Sequence, residues 1–319
     1  MKLLVITNRN IKNENAEDLT LFGEEINIEG ASNVRLAWAE KVAGGNWKLE
    51  LIMEPDIIDS SNIPSRSAFK KYIKILQENS KDCTFYVHGF NKKFSESMEQ
   101  AFSIHKRYKV GVVVFSWPSN PGGFITNEYK KSKAIASNSI VALDRIFEKL
   151  NKYMFECADE SCEVSFNLLL HSMGNYIFEQ FIQNPIFAGE TKIFDNIILN
   201  AADIDVENHD EWANRLKFAR NVYATINERD SILLASDIIN PDRLGNTVGH
   251  LNSSRIEYFN LTEGNGVKKK HQHFETTAKA NSTVGNFFKK VLHGQPGFPI
   301  PNVKYNERHN CFELESETE

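Results

Sequence analysis

The chain has 319 residues, 41% of them apolar and 25% charged, a composition ordinary for a soluble globular protein. A formal net charge of −5 and a pI of about 6.0 exclude a field that would gather nucleic acid or anionic lipid wholesale. No apolar stretch approaches the roughly 20 residues that cross a bilayer, so no transmembrane segment is expected.

The opening run from Met1 to Arg9 is too short for a signal peptide and reads as a strand. Residues 34–39 and 47–52 alternate apolar and polar positions around Gly44-Gly45-Asn46, which predicts an antiparallel hairpin. Apolar residues recur at helical spacing over 65–79.

From residue 83 the pattern changes to short apolar runs alternating with helical segments. Strands are predicted at 83–87, 110–115, 164–170, 196–200 and 221–226. Helices are predicted at 95–108, 132–153, 175–184, 210–218 and 284–292. The 95–108 helix carries a capping-box pattern, Ser95 with Met98-Glu99. Strands apolar throughout are covered on both faces, and alternation with helices implies parallel crossovers. The expected fold is α/β: a mostly parallel central sheet flanked by helices on both faces, with antiparallel strands at its N-terminal edge.

A single domain over 1–312 is expected. It comprises an N-terminal edge and helix (1–80), a catalytic core (81–295) and a C-terminal extension (296–312). The acidic tail at 313–319 is expected to lack fixed structure. Cys83, Cys157, Cys162 and Cys311 show no zinc spacing and read as reduced thiols of a cytoplasmic protein.

In such folds ligands bind beyond the carboxyl ends of the strands. After strand 164–170 comes His171-Ser172-Met173-Gly174, where Gly174 leaves room for the tight strand-to-helix turn of a nucleophile elbow. Leu170 stands where the full pattern has glycine, and a serine opening a helix is also an ordinary N-cap. The buried strand before Ser172 and the amphipathic helix after it favour the elbow. After strand 83–87 comes His88-Gly89-Phe90-Asn91, whose backbone N–H at Phe90 or Asn91 could form half of an oxyanion hole, with Met173 N–H as the other half. His88 and Trp117 are candidates to line the pocket; a packed core indole is the equal alternative for Trp117.

A nucleophilic serine needs a base and an orienting acid. Asp230 follows strand 221–226. Asp203 competes for the acid position, though it or Asp205 could instead cap the next helix. The candidate bases are His250, His271 and His273. Alternation would put His271 and His273 on one face, as a metal pair would need. No third ligand of fitting spacing accompanies them, and neither metal nor cofactor is expected.

Taken in order, several motifs carry a resemblance. They are His88-Gly89-Phe90-Asn91 with Phe94, Phe115-Ser116-Trp117-Pro118-Ser119, His171-Ser172-Met173-Gly174-Asn175, Ala202-Asp203-Ile204-Asp205, Asp230 and Arg243-Leu244-Gly245. Together with the opening Thr7-Asn8-Arg9, they resemble a largely uncharacterised bacterial branch of the α/β-hydrolase superfamily, catalogued as a domain of unknown function. The resemblance spans about nine tenths of the chain. It implies the α/β-hydrolase fold, with Ser172 as nucleophile, Asp230 as acid and His271 as base. Where that family shows Gly-His-x-Tyr-Phe, this chain has Lys270-His271-Gln272-His273-Phe274, which keeps His273 open as an alternative base.

The expected activity is a serine hydrolase working through an acyl-enzyme on a small-molecule acyl substrate, whether ester, thioester or lipid. Segments 118–131, with Gly122-Gly123-Phe124, and 236–270 would roof the site. Neither carries a long amphipathic lid, which favours a small soluble ester or thioester. The alternative is a catalytically inactive hydrolase-like module that binds a ligand or partner, suggested by Leu170 and the altered His271-Gln272-His273 site. A third reading is an acyltransferase or lipase-type effector acting beside a protein partner. Oligomeric state is not set by the sequence.

Overall fold

The computed structural model describes residues 2–53, 63–120, 122, 125–156, 163–184, 193–276 and 279–315. Cys157, Cys162, Gly123, Phe124 and the end of the acidic tail, 316–319, lie outside the described residues. The chain divides into two compact units, Met1–Ser165 and Phe166–Glu319.

The first unit runs β1 (Lys2–Thr7), β2 (Arg9–Ile11), β3 (Phe22–Ile26), β4 (Arg35–Lys41), β5 (Trp47–Ile52), α1 (Pro64–Glu78), β6 (Cys83–Val87), α2 (Phe94–Tyr108), β7 (Gly111–Ser116) and α3 (Ile125–Glu156). Its sheet has the order β6-β7-β1-β4-β5. The fully buried β6 and β7 pair in parallel, as continuous apolar runs require, and β7 pairs in parallel with β1. β4 and β5 then add antiparallel, their hairpin turning through Gly44 and Gly45 at φ 86° and 84°.

Two local expectations are corrected. The N-terminal strand stops at Thr7; Arg9–Ile11 pairs instead with β3 in a separate ribbon. The capping glutamate of α2 is Glu96, whose carboxylate accepts from Lys93 N–H at 2.8 Å. Glu99 is engaged elsewhere, accepting from Lys41 Nζ and, at 2.7 Å, from Trp47 Nε1.

Arg9 ties the ribbon to the end of β7. It is fully buried, and all five of its N–H donors find acceptors. Nε donates to Ser116 Oγ (3.1 Å), and Nη1 to Gly23 O (3.1 Å) and the Glu24 carboxylate. Nη2 donates to Lys92 O (3.0 Å) and Trp117 O (2.7 Å). Burial lowers its pKa to about 10, against the opposing pull of Glu24.

The second unit runs β8 (Phe166–His171), α4 (Gly174–Gln183), β9 (Phe194–Asn200), α5 (His209–Ala213), β10 (Ala219–Ile226), α6 (Ser231–Ser236), β11 (Ile256–Asn260), a 3-10 turn (His273–Glu275), α7 (Ser282–Leu292), β12 (Val303–Asn306) and β13 (Cys311–Leu314). Its strand order is β8-β9-β10-β11-β13-β12, parallel through β13 and antiparallel at β12. Two buried asparagines anchor α7: Asn167 Nδ2 donates to Leu292 O (3.0 Å) and Asn196 Nδ2 to Val291 O (2.8 Å). They satisfy helix-end carbonyls that have no partner within the helix.

The helix predicted at 210–218 is one short segment, α5, whose N-cap position is Asn208, without a side-chain capping bond, rather than Asp203 or Asp205. The chain leaves it early because Phe218 O accepts from Ile193 and Phe194 N–H (2.9 and 3.0 Å), starting β10 beside β9. Strands β11, β12 and β13 lie outside the strands that the sequence pattern predicts. The last of them takes in Glu313 and Leu314, the first residues of the expected tail. Among the described residues no helix is long and apolar enough to cross a membrane.

Candidate active site

Ser172 stands immediately after β8, where the chain turns sharply into α4. Its N–H donates to Asn200 O at 3.1 Å. Its carbonyl accepts from Asn175 N (3.0 Å), Asn175 Nδ2 (3.0 Å) and Asp203 N (3.4 Å). These bonds hold the residue at φ 52°, a left-handed conformation uncommon for a residue with a side chain. Gly174 opens α4 two positions later, at the place the elbow pattern requires.

Asp230 is fully buried at the N-terminus of α6. Its Oδ1 accepts from Ile232 N (3.0 Å) and Leu233 N (3.2 Å), an N-cap to the short helix. Its Oδ2 accepts from His271 Nδ1–H at 2.7 Å. Burial by itself would raise the pKa of this carboxyl. The hydrogen bond from His271, helped by the electrostatic pull of the His271 and His273 rings, outweighs burial and holds it well below the usual carboxylate range. The imidazole of His271 also packs on His171, with ring centroids 4.7 Å apart, which brings it to the residue preceding Ser172.

His273 starts the 3-10 turn and is fully buried. Its Nε2 lies 3.8 Å from Asp230 Oδ2, beyond hydrogen-bond distance, and its Nδ1 is 2.9 Å from Thr225 Oγ1. Burial drives its pKa down, opposed by Asp230. Exposed His250 is not among the groups around Asp230.

Asp203 faces a different set of groups. Its Oδ1 accepts from Ser236 Oγ at 2.9 Å and lies 3.8 Å from Arg243 Nε, while Arg243 Nη1 pairs with Asp205 at 2.8 Å. Gly245 knits these loops together, donating to Ala202 O (3.0 Å) and accepting from Asn227 N (2.9 Å). A Cβ at Gly245 would collide with the Ala201–Ala202 backbone and come within 2.6 Å of Leu233 Cδ1.

In the first unit, the turn after β6 commits Asn91 N–H to Ser119 O (3.0 Å), which leaves Phe90 of the two expected amide donors. His88 is fully buried and stacks on Trp117 with ring centroids 5.6 Å apart. Trp117 Nε1 donates to His88 O at 2.8 Å. This burial supports the packed-indole alternative for Trp117. His88 Nδ1–H donates to Gly89 O (2.9 Å), and burial and the nearby Arg9 charge push its pKa down to about 3.

Sequence reasoning missed the polar row beside Asp230. Asn200 and Thr225 are fully buried at the carboxyl ends of β9 and β10, and a polar side chain directly after the apolar runs Ile197-Ile198-Leu199 and Val222-Tyr223-Ala224 is the signal that could have marked them. Among the described residues no group of three or more His, Cys, Asp or Glu side chains could hold a metal ion. Cys83 and Cys311 are buried free thiols, and burial with nearby carboxylates pushes the pKa of Cys311 up to about 12.

Parallel sheets carrying a sharp strand-to-helix turn at a serine, with an acid after a later strand, define the class of α/β hydrolases. The chain belongs to the family described as "Alpha/beta hydrolase of unknown function (DUF900)", whose model matches residues 64–273. No curated protein matches the chain. Among solved structures it is similar to the PEG-bound complex of a novel cold-adapted esterase from an Arctic intertidal metagenomic library. The two are 15% identical with a TM-score of 0.40, and the match covers 82% of this chain and 94% of that chain.

Proposed function

We propose that the protein is a serine hydrolase that cleaves a small acyl substrate, an ester or thioester, through an acyl-enzyme on Ser172. The observation that carries this reading is the 2.7 Å bond from His271 Nδ1–H to the buried Asp230 carboxylate. It sits where the His271 ring abuts the residue before a serine held in a left-handed turn.

A serine hydroxyl is a poor nucleophile unaided. With Nδ1–H committed to Asp230, the proton-accepting lone pair of His271 is on Nε2. As Ser172 Oγ attacks the acyl carbon, His271 Nε2 takes the hydroxyl proton and Asp230 stabilises the resulting imidazolium. Met173 N–H, directly after the nucleophile, is the elbow's donor to the developing oxyanion; one such donor is typically worth about 3 kcal/mol. His271 then returns the proton to the leaving alkoxide or thiolate. In the second half it activates the water that releases the acid and regenerates Ser172. Protons thus pass only among His271, Ser172, the substrate and the attacking water, and the compartment this reading assumes is the cytoplasm.

A fluorophosphonate probe tests the proposal. Mass spectrometry should locate the adduct on Ser172, and Ser172→Ala should remove it. A protein that binds acyl ligands yet takes no label would instead be a hydrolase-like binding module.

A further inference from the structure

The carboxyl ends of three adjacent strands carry a lateral row of polar side chains. Register pairs His171 on β8 with Asn200 on β9, and Asn200 with Thr225 on β10. The side chains follow the register. His171 Nδ1 is 3.1 Å from Asn200 Oδ1, and Asn200 Nδ2 donates to Thr225 Oγ1 at 2.8 Å. Thr225 Oγ1 in turn lies 2.9 Å from His273 Nδ1. The row ends on the histidine whose other nitrogen faces Asp230 at 3.8 Å. His271, bonded to the same Asp230 oxygen, packs back on His171 and closes the circuit.

Donor and acceptor capacity leaves two arrangements here, since the Thr225 hydroxyl can give its proton to His273 Nδ1 or accept a second one from it, and the facing carboxylate chooses between them. Thr225 Oγ1 already accepts from Asn200, so its own proton can go to His273 Nδ1. That leaves the His273 proton on Nε2, pointed at the carboxylate. The opposite tautomer would face a bare nitrogen lone pair toward Asp230 in a dry site, which is repulsive.

We propose that His273 is a positioning residue for the Ser172 reaction: a permanently neutral Nε2–H imidazole, locked by the Asn200–Thr225 row, that keeps the Asp230 carboxylate ionised and turned toward His271. It rests on the hydrolase reading above, and it removes His273 as an alternative base, because Nδ1 is occupied by Thr225 and Nε2 carries a proton. The charged and titratable groups facing His273 are Asp230 at the head of α6 and His271 on its own loop, with the Lys270 carbonyl also turned to the ring. Those facing His271 are Asp230, His171 and His273. Burial depresses the His273 basicity, in keeping with a ring that stays neutral.

Removing the His273 donor has a signed consequence. The Asp230 charge, no longer offset by the His273 N–H dipole 3.8 Å away, acts more fully on His271 and makes its imidazolium easier to form. His271 must be neutral to act, so the acid limb of the pH profile moves upward.

Two measurements on the full chain separate this inference from the hydrolase reading. The first is the imidazole nitrogen NMR spectrum from pH 5 to 9, which needs no turnover. It should report His273 as neutral and Nε2-protonated throughout; a His273 that titrates in that range, or carries its proton on Nδ1, overturns the proposal. The second is the pH dependence of fluorophosphonate labelling. His273→Phe should raise the midpoint of the acid limb by roughly half a pH unit and slow labelling about tenfold. Thr225→Val should move both in the same direction, and Thr225→Ser should restore them. Should His273→Phe fail to fold, the Thr225 pair carries the test. Normal labelling with an unmoved acid limb in these variants overturns the role of His273 and leaves the nucleophile standing. A wild-type chain that takes no label overturns the hydrolase reading, and the NMR spectrum still decides the tautomer.

Discussion

His271 donates to one oxygen of Asp230 at 2.7 Å while the other oxygen of that carboxylate caps α6 through Ile232 N and Leu233 N. One buried side chain therefore orients an imidazole and starts a helix. The two jobs can be separated by substitution. Asp230→Asn keeps an oxygen for the cap and turns an amide NH₂ toward His271, forcing the wrong tautomer. Fluorophosphonate labelling should fall by about 10⁴-fold with little change in melting temperature. Asp230→Ala removes the cap as well, and should cost about 1 kcal/mol more in urea unfolding.

Acid stability follows from His88. Its pKa in the fold is depressed to about 3, against 6.5 for an ordinary histidine, so the unfolded chain binds the proton more readily. Stability from this group is complete above pH 6.5 and is lost as pH falls toward 3, by at most about 1.4 kcal/mol per pH unit. Asp230 acts in the same direction lower down, its depressed pKa contributing stability that disappears once the pH drops through the carboxylate range. Urea midpoints between pH 4 and 7 should show the slope, and His88→Phe, which keeps a ring against Trp117, should flatten it. An unchanged slope in that variant would assign the acid sensitivity elsewhere.

Gly245 should tolerate no side chain. The space a Cβ would need is filled by the backbone of Ala201 and Ala202, neither of which can step aside cheaply. Gly245→Ala is expected to destabilise the protein by about 2–3 kcal/mol in calorimetry or urea unfolding. Labelling should slow as well, since the displaced loop follows the strand beside Ser172 and Ala202 adjoins Asp203.

Arg9→Lys tests the buried guanidinium. An ammonium has three donors in place of five and cannot reach Ser116, Gly23, Glu24, Lys92 and Trp117 together. At least one carbonyl is left dry, and unfolding free energy should drop by about 2–3 kcal/mol. A loss below a few tenths would mean that water replaces the missing donors.

The sheet cores were legible because continuous apolar runs such as Val112-Val113-Val114-Phe115 leave a chain few alternatives to a covered parallel strand. The Ser172 turn and the Asp230 position followed from the same logic, since chemistry collects after strand ends. The circuit joining them did not. Asn200 and Thr225 each carry only a faint polar signal in one dimension, and only strand register sets them side by side. Strands β12 and β13 escaped for another reason. Lys304 and Tyr305 are exposed and Glu313 is charged, so neither segment carries the apolar signature of the interior strands. The sequence pattern marks Arg9 only as the end of a strand, whereas its burial depends on Glu24 and on carbonyls far along the chain.

The left-handed backbone at Ser172 also decides which side chains could stand in for the proposed nucleophile. At φ 52° a side chain branched at Cβ crowds its own main chain, whereas an unbranched one is accommodated. Cysteine fits that requirement and threonine does not. An exchange of oxygen for sulfur should leave the fold intact and convert the site to thiol chemistry, while the seemingly milder addition of one methyl group should loosen the turn itself.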